Sequence, residues 1–260
     1  IVGSGPAGLA CAHRLAMYGH DAVIFDAKPK AGGLNEYGIA SYKATDDFAQ
    51  TEIDYITAIG GIEIRRGEAL GHSFTLDDLR ARYDAVFLAT GLGGVNQLGI
   101  GGDDAPGVAS ATDYIADLRQ ADDLSTLPVG RRVLVIGGGM TAIDIATQTK
   151  LLGAEEVTIA YRRGRKDMNA SAAEQQQSTN KGVVIREWIQ PQSIEKNADG
   201  SLSVTFEYTD YKDDKLCGIG DQLTLTVDQI FRAIGQQFDH NTALGELVLE
   251  QGRIKIDQDG

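Results

Sequence analysis

Two glycine runs carry the first chemical information in this chain. Gly3-Ser4-Gly5-Pro6-Ala7-Gly8 and Gly137-Gly138-Gly139-Met140-Thr141-Ala142 follow one frame: glycine, spacer, glycine, two further residues and a small residue. Each lies between an apolar, strand-like run and a helix-like run. Such a turn presents backbone N–H groups and the positive end of a helix dipole, which suits a pyrophosphate. One run alone is a weak signal. Two in one chain of 260 residues imply that one dinucleotide passes electrons to another.

The elements around the first run complete the pattern. Ile1-Val2 reads as the end of a strand, and residues 7–18 as a helix with Leu9, Ala12, Leu15 and Ala16 on one apolar face. Gly19 stands where a helix C-terminal glycine is expected. Residues 21–26 then form a buried strand ending in Asp26. In this frame Gly3 makes the tight turn, Gly5 admits the pyrophosphate to the backbone, and Gly8 lets helix and strand pack closely. Asp26 follows Gly8 by 18 residues, where a carboxylate accepts hydrogen bonds from a ribose diol. A Gly32-Gly33-Leu34 loop comes next, and a strand at 84–88 leads into Ala89-Thr90-Gly91.

The second run repeats this order with a different ending. Val133-Leu134-Val135-Ile136 is a buried strand of parallel type. Residues 140–152 form a helix that ends at Gly153, and 156–161 a second strand. In place of an acid comes Tyr161-Arg162-Arg163, with Arg165 and Lys166 close behind. A carboxylate here would repel the 2′-phosphate of NADP, whereas guanidinium groups bind it with charge-assisted bonds. The basic turn therefore predicts NADPH at the second site. A solvated basic turn, and NADH as the donor, stay open.

The remaining periodicity predicts helices at 46–59 and 111–118, a strand at 62–64 and a crossover near 102–107. Between 183 and 227 the pattern is strand-like, at Trp188-Ile189, 202–208 and 223–227, with 209–220 as an exposed hairpin tip. A last strand at 228–234 ends in Gly235. The expected division is 1–104 for the first dinucleotide domain, 105–235 for the second with its β insertion, and 236–260 for a return to the first. A net charge of −13 argues against nucleic-acid or anionic-membrane partners. With no apolar run long enough to span a bilayer, a soluble, cytoplasmic chain is expected. Cys11 and Cys217 form no CxxC pair, and His13, His20, His72 and His240 show no ligand spacing. No redox dithiol, iron–sulfur cluster or metal site is expected within these residues.

With these motifs in place, the chain resembles the FAD- and NAD(P)H-binding subunit of the glutamate synthase small chain and dihydropyrimidine dehydrogenase family. The stretch from Gly33 to Lys43 most resembles the bacterial dihydropyrimidine-dehydrogenase-like branch. The resemblance implies an α/β fold of two Rossmann-like (GR2-type) domains, the NAD(P)H domain inserted into a truncated FAD domain. It places FAD at Gly3, Gly5, Pro6, Ala7, Gly8, Asp26, Gly33, Leu34, Gly38, Lys43, Thr90 and Gly91. The dinucleotide donor falls at Gly138, Gly139, Met140, Thr141, Ala142, Arg162, Arg163 and Gly235. Met140 stands where the family usually has Asp or Asn, and Asn169 where proline is common. The family also implies cysteine-ligated iron–sulfur clusters in an N-terminal domain and a flavin-binding G-D motif beyond the segment 253–257, so a piece of a longer protein is expected. Its implied chemistry is hydride transfer from NADPH to FAD, without a catalytic acid or nucleophile. Electrons would then leave through iron–sulfur clusters to an electron-accepting subunit of FMN or iron–sulfur type. A nucleotide-binding fragment that retains no flavin, and an acidic scaffold with degenerate sites, are the alternatives.

Overall fold

Gly3 and Gly137 have φ of 104° and 149°, and each carries the chain from an extended segment into a helix. A side chain at either position would overlap a backbone carbonyl, that of Ala89 or of Ala233. Around these turns the computed structural model, which describes residues 1–238, 247–250 and 253–257, divides into two compact units. The first is Ile1–Gly94 with Gln236–Gly260, the second Val95–Gly235. The expected first boundary was 104/105. Residues just before it group with the second unit because Ile194 N donates to Gly101 O at 2.9 Å and Arg232 pairs with Asp103 at 3.4 Å. His240 and much of the return segment lie outside the described residues.

In the first unit, α1 (Pro6–Met17) precedes β1 (Ala22–Asp26), α2 (Leu34–Tyr37), α3 (Phe48–Thr57), β2 (Ile62–Arg66) and α4 (Leu76–Arg82). β1 and β2 pair in parallel, and Val2 bridges Phe25 on one side and Leu88 on the other. The strand expected at 84–88 is observed only as that bridge at Leu88. Leu9 and Ala12 of α1 bury against Ile24 and Ile53, which fixes the helix behind the turn. On the other side Phe25 packs on Phe74, ring centroids 4.8 Å apart.

The second unit contains, among the described residues, a five-stranded parallel sheet. Its chain order is β3 (Val108–Ser110), α5 (Ala111–Gln120), β4 (Arg132–Ile136), α6 (Met140–Leu151), β5 (Glu156–Ala160), α7 (Ala172–Asn180) and β6 (Val184–Arg186). Then come β7 (Ile189–Lys196), β8 (Leu202–Lys212), β9 (Lys215–Val227) and β10 (Gln229–Arg232). The sheet order is β3-β10-β4-β5-β6, while β7, β8 and β9 form a separate antiparallel sheet. Side chains of β4 alternate between two covered faces. Val133 and Val135 meet Ile115, Ile143 and Phe231, and Leu134 and Ile136 meet Ile189, Leu202, Val204 and Phe206. Both faces are thus dry, as the continuous apolar run of the strand requires.

The exposed hairpin tip expected at 209–220 is observed in a tighter form: β8 and β9 run through the segment and turn at the exposed Asp213-Asp214, both at positive φ. One other expectation is corrected. Trp188 belongs to no strand; its φ of 59° breaks the chain between β6 and β7.

Candidate functional site

The first fingerprint is assembled by backbone contacts around Ser4. Gly32 N donates to Ser4 O at 3.0 Å, which brings the second glycine pair against the turn. The approach is so close that a Cβ at Gly33 would stand 2.6 Å from Gly5 Cα. Gly8 likewise lies directly over Gly3 O. Asp26, only 9% exposed at the end of β1, accepts from Ser4 N at 2.7 Å, from the Ser4 hydroxyl and from Lys28 N at 2.8 Å. Ser4 was not singled out by its sequence position. The signal is there in retrospect: a hydroxyl at the first spacer, facing the strand-end acid.

The loop beyond is anchored on α3. Gln50 Nε2 donates to Ala31 O and to the buried Glu36, both at 2.9 Å, and Asn35 donates to Glu52 at 3.0 Å. Tyr37 closes the loop on Lys30, whose N donates to the phenol oxygen at 3.1 Å. Burial pushes the Tyr37 phenol up, and the nearby Glu36 and Asp26 charges push it the same way. Leu34 opens α2 and Gly38 closes it, where a side chain would overlap Leu34. Pro6 and Ala7 are exposed in the first turn of α1. Thr90 and Gly91 follow Ala89, whose carbonyl Gly3 packs against. Lys43 is exposed in a turn, its ammonium 5.9 Å from the Tyr42 ring.

The second fingerprint opens onto a cavity of about 540 Å³. Its walls include Gly138, Gly139, Thr141, Arg162, Arg163 and Gly235, joined by Asn96, Tyr161 and Asn169. Gly138 faces the Tyr161 ring so closely that no side chain fits, whereas a Cβ at Gly139 would meet open space. Tyr161 in turn donates from its hydroxyl to Asp167 O at 2.7 Å, and Ala170 N donates to Gly138 O at 3.2 Å. The basic loop is thereby closed back onto the glycine turn. Asn96 ties the far wall, donating from Nδ2 to Ile234 O at 3.2 Å. Met140 is 58% exposed at the start of α6, and Ala142 is buried in the core; neither lines the cavity. Arg163 Nε is buried and without a hydrogen-bond partner.

Helix caps in the chain are of two kinds. Thr75, Ser110 and Ser171 cap α4, α5 and α7 through their side chains. Gly5 and Gly139 cap α1 and α6 with no side-chain bond, as Gly33 and Asp47 do at α2 and α3, so no side chain of the cap takes up the first N–H groups of these helices.

The whole chain, residues 1–260, matches the model of the pyridine nucleotide-disulphide oxidoreductase family. The chain belongs to that family. It is 37% identical over 211 residues to the glutamate synthase [NADPH] small chain of Escherichia coli K12, covering 78% of this chain and 44% of the relative. It is 35% identical to the NADP(+)-dependent formate dehydrogenase subunit beta of Moorella thermoacetica, over 99% of this chain and 37% of the relative. The PreT homologue of NAD-dependent dihydropyrimidine dehydrogenase from Salmonella typhi is 31% identical, over 91% and 53%. The chain thus spans about half, or less, of the length of these relatives. Among solved structures, Mycobacterium tuberculosis FprA in complex with NADPH aligns with a TM-score of 0.75 at 19% identity, covering 91% of this chain and 70% of that one. That likeness shows the fold. Both cysteines are free, and no group of His, Cys, Asp and Glu among the described residues is placed to hold a metal ion. Among the described residues no helix is long and apolar enough to cross a membrane.

Proposed function

We propose that the first unit holds FAD and the second NADPH, in an NADPH-dependent flavin oxidoreductase module of a larger enzyme. The observation that carries this reading is the change of charge at two equivalent strand ends. Where β1 ends in a buried, hydrogen-bonded carboxylate, β5 runs into Arg162-Arg163 at the cavity wall.

Each site fits its nucleotide by what it lacks. Gly33 packs on Gly5 so closely that no side chain fits between the turn and the second glycine pair, which keeps the backbone there bare, and Gly139 faces open space at the mouth of α6. A carboxylate has about four lone-pair sites. Ser4 N, the Ser4 hydroxyl and Lys28 N take up to three on Asp26, which leaves acceptor capacity for a ribose hydroxyl. Arg163 Nε has no partner, and a 2′-phosphate oxygen would supply one. Asn96, tied to Ile234 O, and Gly235 shape the opposite wall.

When bound, the two cofactors supply hydride transfer and onward electron release, chemistry that needs no acid or nucleophile from the protein. The chain's own part is to orient them and to exclude water. Names of relatives as a small chain or a subunit support an electron-accepting partner subunit of FMN or iron–sulfur type, with iron–sulfur clusters lying outside these residues.

Replacing Arg162 and Arg163 by Ala tests the assignment. The KM for NADPH is expected to rise at least about tenfold, the scale of one lost charge-assisted bond, with NADH unchanged. An equal rise for both nucleotides would overturn it.

A further inference from the structure

The β insertion holds the arginine loop by its backbone. Tyr161 O accepts from Ile189 N at 3.1 Å, Arg162 O from Thr209 Oγ1 at 2.7 Å and Arg163 O from Trp188 N at 3.3 Å. Thr209, itself buried, also donates its N–H to Trp188 O at 2.9 Å. Three successive carbonyls at the end of β5 are therefore gripped by the connection into β7 and by one residue of β8.

Trp188 is the centre of this grip. Its φ of 59° is left-handed, an outlier for a bulky side chain that persists only where the surroundings over-determine it. The indole lies on Gly164, where an added Cβ would stand 2.8 Å from Cζ2. Tyr211 also packs on the indole, edge-on with ring centroids 5.8 Å apart. Arg165 is drawn away from the loop's other cations: its N–H donates to Glu187 at 2.7 Å and its guanidinium pairs with the same carboxylate at 3.3 Å. Of these residues, Trp188, Gly164, Thr209 and Arg165 do not line the cavity, whereas Arg162 and Arg163 do.

Resting on the proposed nucleotide assignment, we infer that Trp188 and Thr209 are positioning residues that set the preference for a nucleotide bearing a 2′-phosphate. They act through the backbone of Arg162 and Arg163 and touch no ligand. The insertion thus has a role in cofactor choice as well as in covering the parallel sheet.

The test is calorimetric titration of the full chain with NADP⁺ and with NAD⁺. Trp188→Gly removes the indole while glycine keeps the left-handed backbone without strain. Gly164→Ala reads the same contact from the other side, because its φ of −71° accommodates alanine and only the indole must move. Thr209→Val leaves Arg162 O without its donor, and Thr209→Ser restores it. The expected result is a Kd for NADP⁺ about tenfold higher in the first three variants, with NAD⁺ affinity unchanged and Thr209→Ser like the wild type. Equal weakening for both nucleotides, or an unaltered ratio, would overturn the inference. The Arg162→Ala, Arg163→Ala double variant run in parallel separates the two claims. If it alone collapses the ratio, the clamp falls and the nucleotide assignment stands. If the wild type itself shows no preference for NADP⁺, both fall.

Discussion

At the first turn Gly3 packs under Ala89 O, and at the second Gly137 packs under Ala233 O. Each of those carbonyls opens a matching triplet, Ala89-Thr90-Gly91 and Ala233-Ile234-Gly235, with a glycine of positive φ at its end. The two turns diverge further along. A side chain at Gly8 would overlap Gly3 O, while the corresponding Ala142 is accommodated in a full core. The first strand ends in an acid bonded to Ser4 and Lys28, the second in a tyrosine and two arginines held by the β insertion. On the proposed assignment, the shared backbone geometry serves both nucleotides and the strand-end residues distinguish them.

The largest expected effects come from breaking what the two turns share. Gly3→Ala and Gly137→Ala each force a Cβ into a carbonyl at positive φ, at an expected cost of about 3 kcal/mol in stability. Thermal unfolding checks the magnitude. The comparison is sharpened by asymmetry: Gly3→Ala should abolish flavin retention and spare NADP⁺ binding, and Gly137→Ala the reverse. Loss of both ligands in either variant would break the independence of the two sites. A smaller effect is expected for Asp26→Asn, which keeps an acceptor for Ser4 N but removes its charge. Weakening FAD binding by roughly tenfold, the scale of one charged hydrogen bond, it should leave the NADPH KM where it was. Fluorescence titration with FAD measures the first, steady-state kinetics the second.

Much of the fingerprint scaffold was legible because its periodicity is strong. Helix 7–18 is observed as Pro6–Met17, and strand 133–136 as Arg132–Ile136. Less visible was α7, whose Ala-Ala-Glu-Gln-Gln-Gln run has no apolar stripe, although Ser171 and Glu174 form a capping box three residues apart. The same holds for α4, opened by the Thr75–Asp78 box. The tight Asp213-Asp214 turn lacks the Asn-Gly or Asp-Gly signal that marks such hairpins. At the candidate sites, residue types and spacing single out the glycines, Asp26 and the arginine pair. Ser4 and the Trp188 clamp were not legible, because both depend on which distant segment folds against them. A tryptophan in left-handed conformation follows from tertiary contacts and has no local signature.

On the proposed function, two different nucleotides occupy the two units and electrons pass between them. Its most direct test is the visible spectrum of the chain after loading with FAD and desalting, recorded before and after anaerobic addition of NADPH. A flavin spectrum that survives desalting and bleaches with NADPH is the predicted result. FAD displaced by NADPH from a shared site, or a bound flavin that NADPH leaves oxidised, would rule out the proposed function.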